Sequence, residues 1–242
     1  MSRGGRPKRG KVLLVIGSVV LAFLALLSAA DCWMAGRAAW VSPSPNGEMR
    51  EEGVAEMVQV DWGYWKEVNP DMVAWIEVPG TQISQPVVQA QLSDPRYYLT
   101  HDIYGDWNLY GCPYIDAGCS HGVDSWNVVI SGHNISLPPA MFHDLERYHD
   151  SSFAREHAEV RIHTPSGTKS LAVVGASTVA GWEQLKRVQF DSLRDFNAYR
   201  NELLDEAEVR LEGRDESGQL ITLCSCSYYD NPVNERTLVF AQ

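Results

Sequence analysis

Three short segments of the sequence carry side chains that could act together in covalent catalysis. They are residues 130–134 (ISGHN), 222–226 (TLCSC) and 234–238 (NERTL). His133 and Cys226 each lie near the end of an apolar, strand-like run, where a buried scaffold gives way to an accessible edge. Arg236 opens the run that would return beside the second segment. This placement predicts that a thiol, an imidazole and a guanidinium meet across neighbouring strands.

Acyl transfer is the chemistry that such a trio performs. A free cysteine has a pKa of roughly 8.5, so Cys226 needs a histidine or another cation beside it to supply the nucleophilic thiolate. Protonated His133 would give its proton to the leaving amine. Arg236 is permanently cationic and offers several N–H donors, which suit the negative charge that develops on a carbonyl oxygen. Attack by a second amine on the acyl-enzyme would complete a transpeptidation.

The remaining cysteines have a simpler interpretation as small buried apolar residues. The chain has five cysteines, an odd number that indicates at least one free thiol if the protein is exported. Cys112 and Cys119 are interpreted as buried, and whether they form a disulfide stays open because the sequence gives no distance between them. Cys224 and Cys226 alternate along one strand and should face the same side, where a bridge between them would be strained.

Charge is distributed unevenly along the 242 residues. The formal net charge of -11 becomes -16 once the five basic residues of the first eleven are set aside. A body this acidic would repel phosphates, which argues against nucleic acid as a partner. With 45% hydrophobic residues the chain can form one globular core.

The N-terminal region predicts a membrane anchor. Residues 12–30 form an uncharged apolar run, whose 19 residues would span roughly 28 Å as a helix, close to the thickness of a bilayer core. The sequence thus predicts a basic cytoplasmic tail (1–11), a transmembrane signal-anchor (12–30), a stalk (31–47) and an extracytoplasmic catalytic domain (48–242). A signal peptide cleaved near residues 28–30 (SAA) is the alternative.

The pattern of the remaining chain predicts a mostly β fold. Short β-type runs separated by turn signals extend from Ala74 to the C-terminus, including the run 97–102 (YYLTHD) and a hairpin about the turn 165–167. Helices are expected at 48–68, 140–148, 151–157 and 192–208, the last with an apolar stripe at spacings of three and four. About eight strands with few helices indicate a closed or nearly closed β-barrel with peripheral helices.

The chemically active segments resemble the motifs of class B sortases. That family has Y-G-H-N at the histidine, T-L-x-T-C at the cysteine and an arginine about ten residues later, against SGHN, TLCSC and the arginine of NERTLVF here. Similarity extends to DPRYYLTHD and MFHDLERYHD, and so covers nearly everything from Asn69 onward. The resemblance implies an eight-stranded sortase β-barrel, with the helix at 192–208 in the position that marks class B.

The resemblance also implies an activity and a set of site residues. Sortases of this class cleave a C-terminal sorting signal of a secreted protein after Thr and transfer the acyl group to an amine of the cell wall or of a pilin. His133, Cys226 and Arg236 take the catalytic positions, and no metal or other cofactor is expected. Leu99, Ser131, Cys224 and Ser225 fall along the family's substrate groove. The last three depart from its usual residues, so the sorting motif and the acceptor amine stay open, as does wall anchoring versus pilus assembly.

Two other functions compete with this interpretation. The run 119–122 (CSHG) faintly resembles a motif of cell-wall L,D-transpeptidases, although its cysteine precedes the histidine. A non-catalytic zinc-binding interaction module could use Cys112, Cys119 and His121, or the pair Cys224 and Cys226. Neither spacing matches the usual C-x₂₋₄-C pairs of structural zinc sites.

Overall fold

A computed structural model describes residues 43, 58–137, 139–181, 186–215, 218–227 and 234–242 of the chain. The expected tail, signal-anchor and almost all of the stalk lie outside these residues, as does 48–57 of the first expected helix. Within the described ranges, no helix has the length and apolar character needed to cross a membrane.

The described residues form eleven strands and three α-helices. The strands are β1 (Met72–Glu77), β2 (Ser84–Gln89), β3 (Tyr114–Ile115), β4 (Asn127–Ser131), β5 (Asn134–Ser136), β6 (Pro139–Met141), β7 (Glu159–Thr164), β8 (Gly167–Ala180), β9 (Val209–Arg210), β10 (Leu220–Ser227) and β11 (Glu235–Ala241). The helices are α1 (Trp62–Val68), α2 (Ser151–Glu156) and α3 (Leu193–Asp205), and 3₁₀ turns cover Tyr97–Leu99, Gly122–Asp124 and His143–His149.

Eight of the described strands close into a barrel. The sheet runs in the order β11-β10-β4-β3-β2-β1-β7-β8, and β8 pairs again with β11 to complete the ring. The short strand β9 pairs with β8 at Gly175 and Ala176, beyond the part of β8 that pairs with β7. The expected eight-stranded barrel with peripheral helices is therefore confirmed. Closure leaves no unpaired edge in the ring, which is how β proteins avoid edge-to-edge association.

Alternating side chains divide the packing into an interior and an outer layer. The largest cluster of buried residues includes Ile130, Leu223 and Val239 from three adjacent strands. The intervening residues of the same strands, such as Cys224 and Leu238, pack in a second cluster with Phe196 of α3. Because successive strand residues point to opposite faces, β10 contributes to both clusters.

The predicted helix at 192–208 is confirmed as α3. Ser192 caps it by accepting a hydrogen bond from the Asp195 backbone N–H at 3.2 Å, which satisfies one of the free donors of the first turn. Its apolar stripe buries Phe196, Leu203 and Leu204 against the outer face of the barrel.

The N-terminal helix α1 packs on the opposite part of the barrel. Trp65 is fully buried and its ring lies 6.0 Å from that of Trp75 in β1, within a third cluster that Tyr98 joins. The Asp61 side chain caps the helix through the Tyr64 backbone N–H at 3.0 Å. Helix α1 lies within the helix expected at 48–68, and Trp65 is the side chain that it buries against the barrel.

Two elements differ from the prediction. The run at 97–102 starts with a 3₁₀ turn at Tyr97–Leu99, where the Tyr97 backbone N–H donates to the Asp94 carbonyl and the Thr100 N–H to the Tyr97 carbonyl. In the part of the chain that the structure describes, the β pairing of this run is limited to one isolated bridge, between His101 and Trp107. The expected helix at 140–148 starts as strand β6 instead, because residues 139–141 pair with β5. Met141 then takes a positive φ of 53°, and a 3₁₀ turn follows in place of an α-helix.

Candidate active site

Antiparallel pairing of β10 with β11 places Cys226 directly opposite Arg236. Residues paired in this way project to the same face of the sheet, with Cβ atoms about 4.5–5.5 Å apart. Both side chains are partly exposed. A thiol and a guanidinium therefore share one open stretch of the barrel surface.

Parallel pairing of β4 with β10 brings the histidine segment to the same edge. Ser131 lies opposite Cys224, and the Gly132 backbone N–H donates to the Cys224 carbonyl at 3.0 Å. Two residues further on, the Asn134 side chain donates to the Cys226 carbonyl at 3.1 Å. His133 thus lies on a segment fixed to β10 immediately before and after it.

The imidazole of His133 is oriented by the backbone carbonyl of Leu99. Its Nε2 lies 3.0 Å from the Leu99 carbonyl oxygen, which can only accept, so Nε2 carries a proton. In the neutral ring Nδ1 is then the nitrogen with a free lone pair. The His133 backbone N–H donates to the thioether sulfur of Met141 at 3.0 Å. Leu99 therefore contacts this residue through its carbonyl, although the sequence placed it in the substrate groove.

The guanidinium of Arg236 is held at the start of β11. Its Nη1 donates to the Glu235 carbonyl at 2.7 Å. A Cβ placed on Gly181 would lie 3.3 Å from the guanidinium carbon and 2.2 Å from Oδ1 of Asn234, so any larger residue there would displace the Asn234 side chain beside Arg236. On the opposite face, the buried Ser227 hydroxyl donates to the Glu235 carboxylate at 2.6 Å and ties the two strands together beside the site.

The described thiols differ sharply in their surroundings. Cys226 is partly exposed, whereas Cys112, Cys119 and Cys224 are buried and all four are free. Burial raises the pKa of Cys112, and it raises the pKa of Cys119 to about 11. These two thiols also donate to the carbonyls of Pro86 and Asn127 respectively. Cys226 is therefore the described thiol best placed to meet a substrate.

The predicted groove residues fall on both faces of the barrel wall. Ser131 and Cys224 share the face of Cys226, since they are paired in register on β4 and β10. Burial raises the pKa of the Cys224 thiol, while nearby Lys186 and Arg236 act in the opposite sense. Ser225 lies on the interior face and is 2% exposed, because it alternates with its two cysteine neighbours. The structure does not bring Ser225 to the site.

Tyr114 belongs to the site face but was missed by sequence reasoning. It pairs with Ser131 across β3 and β4, which puts the two side chains on the same face of the sheet. Burial is the main cause that raises the Tyr114 pKa to about 12, and the thiols of Cys224 and Cys226 act in the same direction. A two-residue strand gives little sequence signal, and only the order of the strands identifies this tyrosine as a neighbour of Cys226.

Comparison with known proteins places the chain in a family. A family profile described as "Sortase domain" matches residues 76–242. The chain belongs to the sortase family. A sortase B of Listeria monocytogenes is 24% identical over 185 residues, covering 75% of this chain and 69% of the relative. A sortase B of Staphylococcus aureus is 23% identical over 191 residues, covering 77% of this chain and 76% of the relative.

Solved structures support the same fold. A Staphylococcus aureus sortase B–substrate complex superimposes with a TM-score of 0.65 at 22% identity, covering 74% of this chain and 82% of that one. The resemblance to class B sortases is thus confirmed, and the chain is a sortase transpeptidase. Among the described residues of this sortase, no three His, Cys, Asp or Glu side chains are grouped as metal ligands would be.

Proposed function

We propose that this sortase cleaves a C-terminal sorting signal of secreted proteins and transfers the acyl group to a cell-wall or pilin amine through a thioester on Cys226. The catalytic roles proposed for these residues depend on one observation. Cys226 is the partly exposed thiol among the described cysteines, and it lies opposite Arg236 on a strand bonded to the segment that bears His133.

In the first half-reaction the Cys226 thiolate attacks the carbonyl carbon of the scissile peptide bond. The carbonyl electrons move to oxygen, and the guanidinium of Arg236 stabilises that negative charge. When the C–N bond breaks, protonated His133 donates its proton to the leaving amine. Because Nε2 is bonded to the Leu99 carbonyl, Nδ1 is the nitrogen that exchanges this proton.

In the second half-reaction the acceptor amine attacks the thioester carbonyl. Neutral His133 takes a proton from the incoming nitrogen as the new C–N bond forms. Collapse of the tetrahedral intermediate expels the Cys226 thiolate and restores the enzyme. The thiol and the guanidinium lie on one face of β10 and β11, and His133 lies on the adjoining segment after β4, so the peptide and then the amine would occupy the same surface in turn.

Two sets of partners follow from this reaction. The donor is the sorting-signal peptide of a surface protein or pilin, and the acceptor is an amine of peptidoglycan or of a pilin. Support comes from solved structures of sortase B with a substrate and with triglycine, a peptide that carries a free amine. The groove face holds Ser131 and Cys224, with Leu99 near His133, and these residues contribute to peptide recognition.

The enzyme would act outside the cytoplasm while attached to the membrane. The basic residues 1–11 would stay inside, residues 12–30 would span the bilayer as a single helix, and 31–47 would connect it to the catalytic domain 48–242. This placement brings the site to exported proteins and to the wall. Fractionation and protease accessibility of the intact cell would test it. A catalytic domain protected inside the cell would contradict the proposed topology.

The assignment of Cys226 is tested by comparing two cysteine variants of the full-length protein. Peptides from a library of sorting signals are incubated with the enzyme, and the thioester is detected by mass spectrometry. Cys226→Ala should form none, and Cys119→Ala should retain the acyl-enzyme because its thiol is buried with a raised pKa. The opposite result would favour an L,D-transpeptidase-like chemistry at 119–122. A methanethiosulfonate reagent should label Cys226 and stop turnover.

A further inference from the structure

Asn134 follows the catalytic histidine and contacts the nucleophile's own backbone. Its Nδ2 donates to the Cys226 carbonyl at 3.1 Å, across 92 residues of sequence. The residue is 8% exposed, so this side chain depends on protein partners to satisfy it. Neither half-reaction uses the amide directly, so its contribution must come through the groups that it holds.

The amide takes the place of a missing backbone hydrogen bond in the sheet. The Gly132 N–H donates to the Cys224 carbonyl at 3.0 Å, and in a parallel ladder the donors on one strand recur every second residue. The next donor would be the backbone N–H of Asn134, acting on the Cys226 carbonyl. Pairing of β4 with β10 ends at Ser131, and the Asn134 side chain supplies that bond instead.

Two further residues fix the orientation of this amide. Nδ2 also donates to the Glu146 carboxylate at 2.5 Å, so both of its partners are acceptors. The remaining atom, Oδ1, lies 2.7 Å from Nδ1 of His143, which must therefore carry the proton. A flipped amide would set an oxygen against a carbonyl and a carboxylate. The arrangement therefore permits one orientation.

We propose that Asn134 is a positioning residue, whose amide, oriented by Glu146 and His143, keeps Cys226 and His133 in register where the β4–β10 ladder has ended. This one hydrogen bond joins the Cys226 carbonyl to Asn134, which directly follows His133 in the chain. Reaction geometry is sensitive at this scale, since a misplacement of about 1 Å can cost on the order of 10²-fold in rate. The inference rests on the proposed roles of Cys226 and His133.

The test uses three variants of the full-length protein and the library peptide that gives the strongest acyl-enzyme. Asn134→Ala removes the amide, and Asn134→Asp keeps its shape but replaces the donor with an oxygen. Both should lower kcat roughly 10- to 100-fold and leave KM within about threefold, because the peptide-binding face is intact. Glu146→Gln, at a partly exposed position, should lower kcat by a smaller factor. The glutamine amide can donate as well as accept, so it no longer fixes the orientation of the Asn134 amide.

Asn127→Ala is the matched control. Asn127 is also a buried asparagine, but at the other end of β4, where it donates to the Arg187 carbonyl and accepts from Thr222. It should lower the melting temperature and leave kcat per folded molecule unchanged. This comparison separates positioning from a general loss of stability.

Two results would overturn the inference, and a third would overturn its premise. If Asn134→Asp and Glu146→Gln keep the parental kcat while Cys226→Ala is inactive, the amide has no positioning role. If Asn127→Ala loses kcat as severely as Asn134→Ala, the effect is one of stability. If Cys226→Ala remains active, the proposed nucleophile is wrong. The rate at which a methanethiosulfonate reagent labels Cys226 gives a readout independent of substrate. It should change in Asn134→Ala, which brings no new charge near the thiol, because the amide no longer holds the Cys226 carbonyl.

Discussion

Gly132 joins Ser131 to His133, and replacing it with alanine should disturb both stability and catalysis. A Cβ at this position would lie 2.7 Å from Cδ2 of the Phe142 ring, with two more ring atoms at 3.0 and 3.1 Å. Phe142 is fully buried in the main core cluster, so its ring has no space to retreat. Ordinary contacts begin near 3.4 Å, and the Gly132 backbone must shift by about 0.7 Å to reach that distance.

The expected change in the free energy of unfolding is the balance of two opposing contributions. Gly132 does not have a positive φ, so alanine can adopt its backbone conformation and gains about 0.4–1 kcal/mol from a less flexible unfolded chain. Overpacking a closed core costs about 1–3 kcal/mol and outweighs that gain. The melting temperature should fall, by roughly 2–4 °C for each net kcal/mol in a domain of this size. Because the same shift moves His133, kcat/KM should fall roughly 10- to 100-fold.

The assay combines thermal unfolding with steady-state cleavage of a sorting-signal peptide. Gly63→Ala is the matched control, since its Cβ would meet its nearest neighbour at 3.4 Å in α1, where alanine favours the helix by about 1 kcal/mol over glycine. Adding Phe142→Leu to Gly132→Ala should recover part of the lost activity. Parental stability and kcat/KM in Gly132→Ala alone would refute the close packing on which this reasoning depends.

Three further predictions concern charge and thiol chemistry. Arg236→Lys keeps the positive charge but loses the forked donor geometry, so kcat should fall on the order of 10²-fold in peptide cleavage; parental kcat would exclude Arg236 from oxyanion stabilisation. Brief treatment with a methanethiosulfonate reagent should label Cys226 in the folded protein and leave Cys119 unmodified until denaturant is added, as peptide mass mapping would show; early labelling of Cys119 would contradict its burial. The hydrogen bond from Arg161 lowers the pKa of Glu159, so this carboxylate stabilises the fold above the ordinary pKa of about 4.3 and stops doing so as the pH falls through the lowered value. Glu159→Gln should reduce the acid dependence of the urea unfolding midpoint, and an unchanged dependence would count against this pair.

The sequence predicts those parts of the barrel that have strong local signals. The hairpin of β7 and β8 follows from the turn at 165–167, and α3 follows from its apolar stripe. The run at 97–102 shows the limit of such signals, because its aromatic residues fit a strand pattern equally well. The backbone hydrogen bonds of Tyr97 and Thr100 to carbonyls three residues earlier form the 3₁₀ turn, and sequence alone does not reveal them.

The residues of the site also differ in how far local sequence rules predict their positions. Alternation along a strand is a local rule, and it could have excluded Ser225 from the groove, since Ser225 lies between two residues that face the opposite side. The resemblance to the family's substrate groove instead placed Ser225 on the same face as the two cysteines, whereas it lies on the interior face. Tyr114 and Asn134 are different cases, because their neighbours depend on which strands lie side by side. No spacing in the sequence gives that order.

Strand direction explains why residues so far apart in sequence can serve one reaction. Because β4 and β10 are parallel, their carboxyl ends lie at the same edge of the sheet, and His133 and Cys226 lie just beyond the paired residues Ser131 and Cys224. Because β11 is antiparallel to β10, its first residues begin at that edge, which places Arg236 opposite the thiol. An antiparallel β4 would have carried the imidazole to the other end of the barrel. The proposed catalytic trio therefore depends on the one parallel contact that β10 makes within the described sheet, and the Asn134 side chain adds a hydrogen bond to β10 just beyond that contact.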